Sequence, residues 1–260
     1  MPLLTHWESR NVEAWRALWE VPHLEVHDVL GSTNDRAKGL ARERGSAWAV
    51  VRAEAQTHGR GRDGKGWASP EGKGLWISLL VPSAGSEADL LLPLRVGLAA
   101  ARVSEAFAPT EGGILVKWPN DLLLSGRKVG GILCETAGTG CVVVGLGLNV
   151  RQEREDYPPG LREKAISLEV GSGKAVSRGA LAEALIRGIR AGIEGGGARL
   201  TSRELEEFSR RDALLGERVD SQAEGSGVAL GITPRGSLIL EVEGGALREV
   251  RAGSIQTVRE

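Results

Sequence analysis

Gln56-Thr-His-Gly-Arg-Gly-Arg-Asp-Gly-Lys-Gly-Trp67 sets four glycines among three cations and ends on an indole. Glycine lets backbone N–H groups approach an anion closely, and arginine supplies a forked donor to phosphate or carboxylate oxygens. The stretch therefore reads as a loop that clasps an anion, against the plainer reading of a solvated basic loop punctuated by glycine. It is not a dinucleotide fingerprint, because Ala-Ser-Pro-Glu-Gly and not a helix follows Trp67. Nor is it a Walker loop, since Gly66 and not Ser or Thr follows Lys65.

Working outward, Trp48–Ala53 and Leu75–Val81 are predicted strands that bracket this loop. Upstream, Ser32-Thr-Asn34 opens a predicted helix over Arg36–Arg44 that Gly45 ends, and helix capping alone accounts for these residues. Trp15 and Trp19, four apart, suit one face of a short helix packed on the body. Downstream, Leu90–Ala106 is predicted helical and Ile114–Trp118 a strand closed by Pro119. Leu122–Leu124 and Lys128–Glu135 form a predicted hairpin across Ser125-Gly-Arg127, and Cys141–Val150 is a further strand. Helices are expected at Arg178–Ile193 and Glu204–Asp212. Beyond Gly216 short strands alternate with turns, the pattern of a small β-barrel. The expected class is α+β, with a short extension over 1–25, a main domain over 26–212 and a small domain over 213–260.

Bulk properties exclude several classes. The 260 residues carry 41% hydrophobic and 26% charged side chains with formal net charge −1, values of an ordinary soluble protein and not of a dedicated nucleic-acid binder. No apolar run approaches a membrane span and the start lacks a signal-peptide pattern, so a cytoplasmic location is expected. Two cysteines, Cys134 and Cys141, make no disulfide framework and are expected as buried thiols. No Cys or His spacing suggests zinc.

Three more clusters carry chemistry. Lys117-Trp-Pro-Asn-Asp121 and Arg127-Lys-Val-Gly-Gly131 set lysines at the ends of apolar strands, either reaching solvent or poised on an anion. Gly130 and Gly131 leave room for a ligand or mark a bulge. Gly145-Leu-Gly-Leu-Asn149 places two glycines on one strand face, a slot for a ligand or for close helix packing.

Taken in order, Gly-Ser-Thr-Asn34, Gln56-Thr-x-Gly-Arg-Gly-Arg-x-Gly64, Lys117-Trp-Pro-Asn-Asp121, Arg127-Lys-x-x-Gly-Ile-Leu133 and Gly145-x-Gly-x-Asn149 resemble the biotin protein ligases. The resemblance implies a mixed-sheet catalytic domain of the biotin/lipoate ligase type with a C-terminal SH3-like barrel. It also implies two-step chemistry: biotin and ATP give biotinyl-5′-AMP, then the acyl group passes to a lysine of a biotin carboxyl carrier protein of acetyl-CoA carboxylase. By similarity Lys128, Arg60 and Arg62 are the catalytic cations. Ser32, Thr33, Asn34, Gln56, Gly61, Gly131 and Gly147 join them on biotin, the two last glycines making room for its ring and tail. Arg62, Trp67, Lys117, Asn120, Asp121, Lys128 and Asn149 fall to ATP, with Mg²⁺ near Asp121 and Trp67 near the adenine. The loop over residues 59–67 is expected to order over the intermediate and exclude water.

The family often has arginine where this chain has Lys65. Many bacterial relatives also carry an N-terminal DNA-binding domain, for which about 25 residues leave no room. A monofunctional enzyme that binds no nucleic acid and no membrane is therefore expected, and the resemblance implies a homodimer. Competing readings are a lipoate–protein ligase, a non-catalytic biotin-sensing regulator and an interaction module built on the barrel. Biotin against lipoate activity separates the first, and binding to operator-like DNA the second.

Overall fold

The computed structural model describes residues 3–45, 48–138, 140–222 and 224–258. In chain order the elements are β1 (His6–Trp7), β2 (Arg10–Asn11), α1 (Val12–Leu18), β3 (His23–Leu30), α2 (Thr33–Arg44), β4 (Ala49–Gln56) and β5 (Gly74–Pro82). Then come α3 (Ser86–Asp89), α4 (Leu92–Phe107), β6 (Ile114–Lys117), β7 (Asp121–Leu124), β8 (Arg127–Thr136), β9 (Cys141–Asn149), α5 (Leu168–Ser172), α6 (Arg178–Glu194) and α7 (Ser202–Arg211). The chain ends with β10 (Arg218–Ser221), β11 (Gly225–Ile232), β12 (Leu238–Val242), β13 (Leu247–Val250) and β14 (Ile255–Thr257).

A seven-stranded mixed sheet of order β3-β4-β5-β9-β8-β7-β6 forms the body, with β3 parallel to β4 and the other neighbours antiparallel. Residue alternation along β5 shows how it is used. Leu75, Ile77, Leu79 and Val81 join the large apolar cluster with α4 and α6. Leu80, on the other face, packs with Ala37, Leu40 and Ala41 of α2 and with Cys141 and Val143 of β9. Further along that second face β9 carries Gly145 and Gly147, and Gly131 of β8 is the register partner of Gly147. Side chains are missing there, so the face is hollow beside the start of α2.

The β7–β8 hairpin turns through Ser125 (φ 50°) and Gly126 (φ 72°), the two left-handed positions of a tight two-residue turn. Leu122 pairs with Gly130 and Leu123 with Lys128, so Val129 is an extra residue and the bulge reading of this segment holds. Both sheet edges are partly covered: Leu4 N–H donates to Val26 O beside β3, and Ala213 N–H to Val116 O beside β6.

Residues 218–257 form a five-stranded antiparallel sheet of order β13-β12-β11-β10-β14, standing where the small barrel is expected. Its Val219, Ala229, Leu238, Leu240, Val250 and Ile255 belong to the same apolar cluster as the body. Trp118 Nε1 donates to Gly236 O at 2.8 Å, tying the two sheets beside the β6–β7 turn.

Trp7, Trp15 and Trp19 pack together at 5.5–5.9 Å between ring centroids, so the short N-terminal helix is docked through indoles. Beneath them Arg52 is fully buried, its guanidinium 4.2 Å from the Trp7 ring and 2.7 Å from Glu54. Glu54 also accepts from Arg178, which reaches Glu8. Burial would raise the Glu54 carboxyl, yet the two guanidiniums hold it down at about 2. Neither cysteine is in a disulfide: Cys134 pairs with Val144, not Cys141, and is only partly buried. Among the described residues no helix is long and apolar enough to cross a membrane.

Candidate active site

The hollow on the second sheet face opens into a cavity of about 530 Å³. Its floor is Gly145, Gly147 and Gly131, its walls are the α2 start, the 60–67 loop and the β6–β7 turn, and residues 254–256 close one side. Arg60, Arg62, Lys65, Lys117 and Lys128 line it against two carboxylates, Asp63 and Asp121, so the cavity favours an anionic ligand.

The glycine-rich loop is a small hairpin. Arg60 bridges Gly66, Gly61 N–H donates to Lys65 O at 2.7 Å, and Trp67 N–H donates to Gly59 O at 2.8 Å. Asp63 (φ 55°) and Gly64 (φ 70°) make its tip. Two arginines leave this hairpin in different directions. Arg60 Nη2 reaches Asp35 at 2.6 Å and Glu135 at 3.3 Å, so its charge is met at the α2 start. Arg62 donates to Asn120 Oδ1 at 3.1 Å and to Gly253 O at 3.2 Å, and among the described residues it has no carboxylate partner. Beside it Ser254 Oγ donates to Asp63 at 2.8 Å, so the turn before β14 holds the hairpin tip.

Trp67 closes the floor. A Cβ at Gly147 would lie 2.6 Å from the indole and one at Gly131 3.1 Å from it, so the missing side chains accommodate this ring. Both glycines line the cavity, and the indole packs where their side chains would lie. Lys128 Nζ lies 5.2 Å above the Trp67 ring and 2.7 Å from Asp121 Oδ1, a cation held by an indole face and a carboxylate. Lys117 is half-buried. Burial lowers its pKa, Asp121 opposes that, and the Lys128 charge adds to the lowering.

At the other end lies a neutral polar group. Thr33 N–H and Oγ1 donate to Gln56 Oε1 at 2.8 and 3.1 Å, and Gln56 Nε2 donates to Ser69 Oγ at 2.8 Å. Asn34 packs on Gly145 and donates from Nδ2 to Glu135 at 2.7 Å. Burial would raise the Glu135 carboxyl, but Lys38, Asn34 and Arg60 together hold it below the usual range. Helix capping does not explain the Ser-Thr-Asn sequence. The helix starts at Thr33, and Ser32 at the cap position makes no side-chain cap hydrogen bond. Ser32, Thr33 and Asn34 instead line the cavity.

Nearly every residue singled out in the sequence meets here: Ser32, Thr33, Asn34, Gln56, Arg60, Gly61, Arg62, Trp67, Lys117, Asn120, Asp121, Lys128, Gly131 and Gly147 all line one cavity. Asn149 does not. It is 4% exposed, and its side-chain amide donates to Ile166 O and accepts from Gln152. Asn120 lines the cavity but spends Nδ2 on Ile132 O and Oδ1 on Arg62, so it holds an arginine in place. Residues 254–256, Leu161, Ser69 and Glu135 were missed. Of these only Ser69 and Glu135 sit near a motif, while residues 254–256 reach the site through the tertiary fold alone.

Among the described residues no group of three acidic, His or Cys side chains could hold a metal ion by itself. A Mg²⁺ brought in on phosphates needs only one or two protein carboxylates, and Asp121 and Asp63 are the two that line the cavity.

Residues 26–149 match the model of the biotin/lipoate A/B protein ligase family. The bifunctional ligase/repressor of Bacillus spizizenii is 37% identical over 161 residues, 60% of this chain and 49% of that protein, so the match spans about half the length of that relative. The biotin–[acetyl-CoA-carboxylase] ligase of Mycobacterium tuberculosis is 35% identical over 251 residues, 91% of this chain and 89% of that protein. Among solved structures, the Aquifex aeolicus biotin protein ligase in complex with biotin and ATP superposes with a TM-score of 0.78 at 28% identity, covering 91% of this chain and all of that one. By sequence match, coverage and fold, the chain belongs to the biotin/lipoate A/B protein ligase family.

Proposed function

We propose that the protein is a biotin protein ligase: it joins biotin to ATP as biotinyl-5′-AMP and passes the acyl group to a lysine of a biotin carboxyl carrier protein. The observation that carries this reading is the two-ended cavity. One end holds neutral hydrogen-bonding groups around Thr33 and Gln56; the other holds Arg62, Lys117 and Lys128. A molecule with a neutral ureido ring at one end and a carboxylate at the other fits that division, and lipoate, which has no ureido group, leaves the neutral end unpaired.

In the first step a biotin carboxylate oxygen attacks the α-phosphorus and pyrophosphate departs with the electrons of the broken P–O bond. Two anions must be brought together, so cations placed before the reaction lower the barrier. Lys128 exchanges Asp121 for the oxygens of the reacting pair, and its place over Trp67 aims it. Arg62 supplies a second cation whose hydrogen bonds to Asn120 and Gly253 set its direction. Asp121, released by Lys128, is the carboxylate available to Mg²⁺, which when bound neutralises phosphate charge. Lys117, with its pKa lowered, supports from β6. In the second step the neutral amine of the acceptor lysine attacks the acyl carbon, AMP leaves, and the amine loses its proton. The hairpin over residues 60–67 keeps water from the mixed anhydride meanwhile. A homodimer would use what the flanking segments leave open on the sheet edges, and sedimentation velocity tests it. Biotin-dependent pyrophosphate release from ATP tests the reading as a whole; release with lipoate in place of biotin would replace the substrate.

A further inference from the structure

Where β9 ends, two uncharged amides are buried side by side: Asn149 and Gln152, the latter 1% exposed. Buried amides need partners at both of their ends. Gln152 Oε1 accepts from Val150 N–H at 2.9 Å, and Gln152 Nε2 donates to Asn149 Oδ1 at 2.9 Å. Asn149 Nδ2 donates to Ile166 O at 3.1 Å and to Lys128 O at 3.4 Å. The two carbonyls can only accept, so the Asn149 atom facing them is Nδ2 and its Oδ1 is left for Gln152. Val150 N–H can only donate, so Gln152 meets it with Oε1 and turns Nε2 to Asn149. The two ends of the relay agree on one arrangement.

The relay ends on the main chain of Lys128. Pairing of β8 with β9 begins at Gly130, opposite Leu148, so Lys128 lies beyond that ladder. Its N–H donates to Lys164 O at 2.8 Å and its carbonyl accepts from Ile166 N–H at 3.0 Å, a parallel bridge around Ala165. On the other side β7 meets it at the bulge, where the ladder is locally disrupted. Lys128 is therefore held between an irregular strand and an irregular segment. Asn149 adds a tie to regular structure, because one amide joins Lys128 O and Ile166 O to the end of β9.

We propose that Gln152 is a positioning residue for Lys128, acting through Asn149, whose amide it keeps turned toward the two carbonyls. Without that donor Asn149 Oδ1 is buried and unpaired, and the amide gains by turning away from Lys128 O. The Lys128 main chain then drifts, and Nζ leaves its place between the Trp67 ring and Asp121. Gln152 does not line the cavity, so the loss falls on turnover and not on substrate binding. This inference rests on the role of Lys128 in the proposed function.

The test is pyrophosphate release from Mg-ATP with biotin for four proteins: unaltered, Gln152→Met, Lys128→Ala and the double variant. Methionine keeps the length and volume of glutamine without its N–H donor. In Gln152→Met kcat is expected to fall about tenfold, less than the about 100-fold that a 1 Å misplacement can cost. The KM values for biotin and ATP should change by less than about twofold, the pattern of an interaction felt in the transition state. In the Lys128→Ala background the same change should cost less than about twofold, because the cation it aims is gone. Should the methionine variant fail to fold, Gln152→Leu is expected to give the same pattern. An unchanged kcat, a loss confined to KM, or equal losses with and without Lys128 would overturn the inference, since Gln152 would then serve the fold alone. Full release in Lys128→Ala would overturn the role of Lys128 in the proposed function, and this inference with it.

Discussion

Gly147→Ala separates function from stability in a way the geometry makes quantitative. The new methyl would stand 2.6 Å from Trp67 Cε2, 2.7 Å from Nε1 and 2.9 Å from Cζ2. Ordinary contact requires the ring to rise by about 1 Å, and overpacking of that size costs about 1–3 kcal/mol. Two structures could yield: β9, or the hairpin that carries Trp67. Strand β9 is paired on both sides over its length. The hairpin is held by a few contacts, chiefly Arg60 to Asp35, Arg62 to Asn120 and Gly253, and Ser254 to Asp63. Each is worth about 0.5–1.5 kcal/mol, so the hairpin gives way first. Its open population should rise about 5- to 150-fold, the range that 1–3 kcal/mol allows. Tryptic cleavage after Arg60, Arg62 or Lys65 in the native protein reads that population directly when opening is fast. Cleavage should quicken by the same factor, KM for both substrates should rise, and the thermal midpoint should fall by less than about 3 °C. Gly74→Ala is the control: its methyl would meet Trp76 at 2.3 Å and Leu148 O at 2.7 Å inside the sheet, and it should cost fold stability instead. An unchanged cleavage rate with a midpoint lowered by about 8 °C or more would refute the reasoning, because the strain would then reside in the sheet.

Glu54→Gln should destabilise the protein by about 3–5 kcal/mol in urea denaturation, because it leaves the buried Arg52 and Arg178 without their shared carboxylate. The double change Arg52→Met with Glu54→Gln should recover much of that loss, and failure to recover any would show that the ion network is not the cause. Asp212 is pushed up to about 6 by burial, against the pull of the Leu214 and Leu215 N–H groups, and its Oδ2 has no partner among the described residues. The folded state therefore binds the proton more tightly, and stability is lost as pH rises from about 4 through about 6. Asp212→Asn should gain about 1–2 kcal/mol at pH 7 and nothing at pH 4, a difference that thermal melts at the two pH values would show. Ser254→Ala should raise the tryptic cleavage rate of the hairpin about two- to tenfold without moving the midpoint, since it removes one contact to Asp63; an unchanged rate would mean that the turn before β14 does not hold the loop.

Local signals recovered the fold where one side-chain type dominated each face. The strands around the glycine loop, the β7–β8 hairpin and α4 and α6 lie within a few residues of their sequence-based ranges. Strand β3 was missed because His23-Leu-Glu-Val-His27 looks solvated. Glu25 and His27 are in fact buried, Glu25 being paired with Arg36 from α2, and the Glu25 carboxyl is held far below its usual range against the upward pull of burial. Sequence cannot show that pairing, since it joins two elements. The site was legible where its glycines and cations fall in tight motifs. The burial of Asn149 beneath the site had no local signal, because a motif shows that an amide is present and not which way it points. The role of the turn at Gly253 and Ser254 had no local signal at all: about 190 residues separate it from the hairpin it holds.

Lys128, aimed by Trp67 and released from Asp121, is proposed to serve the joining of a carboxylate to the α-phosphorus of ATP. Pyrophosphate release from Mg-ATP, measured with biotin, with lipoate and with no acid for the unaltered protein and for Lys128→Ala, tests it most directly. Release that requires biotin and falls at least about 100-fold in the variant, the scale expected for losing one preorganised transition-state contact, is the predicted result. Biotin-dependent release that survives in Lys128→Ala within about threefold would contradict the account, because a cation that matters so little is not a transition-state contact.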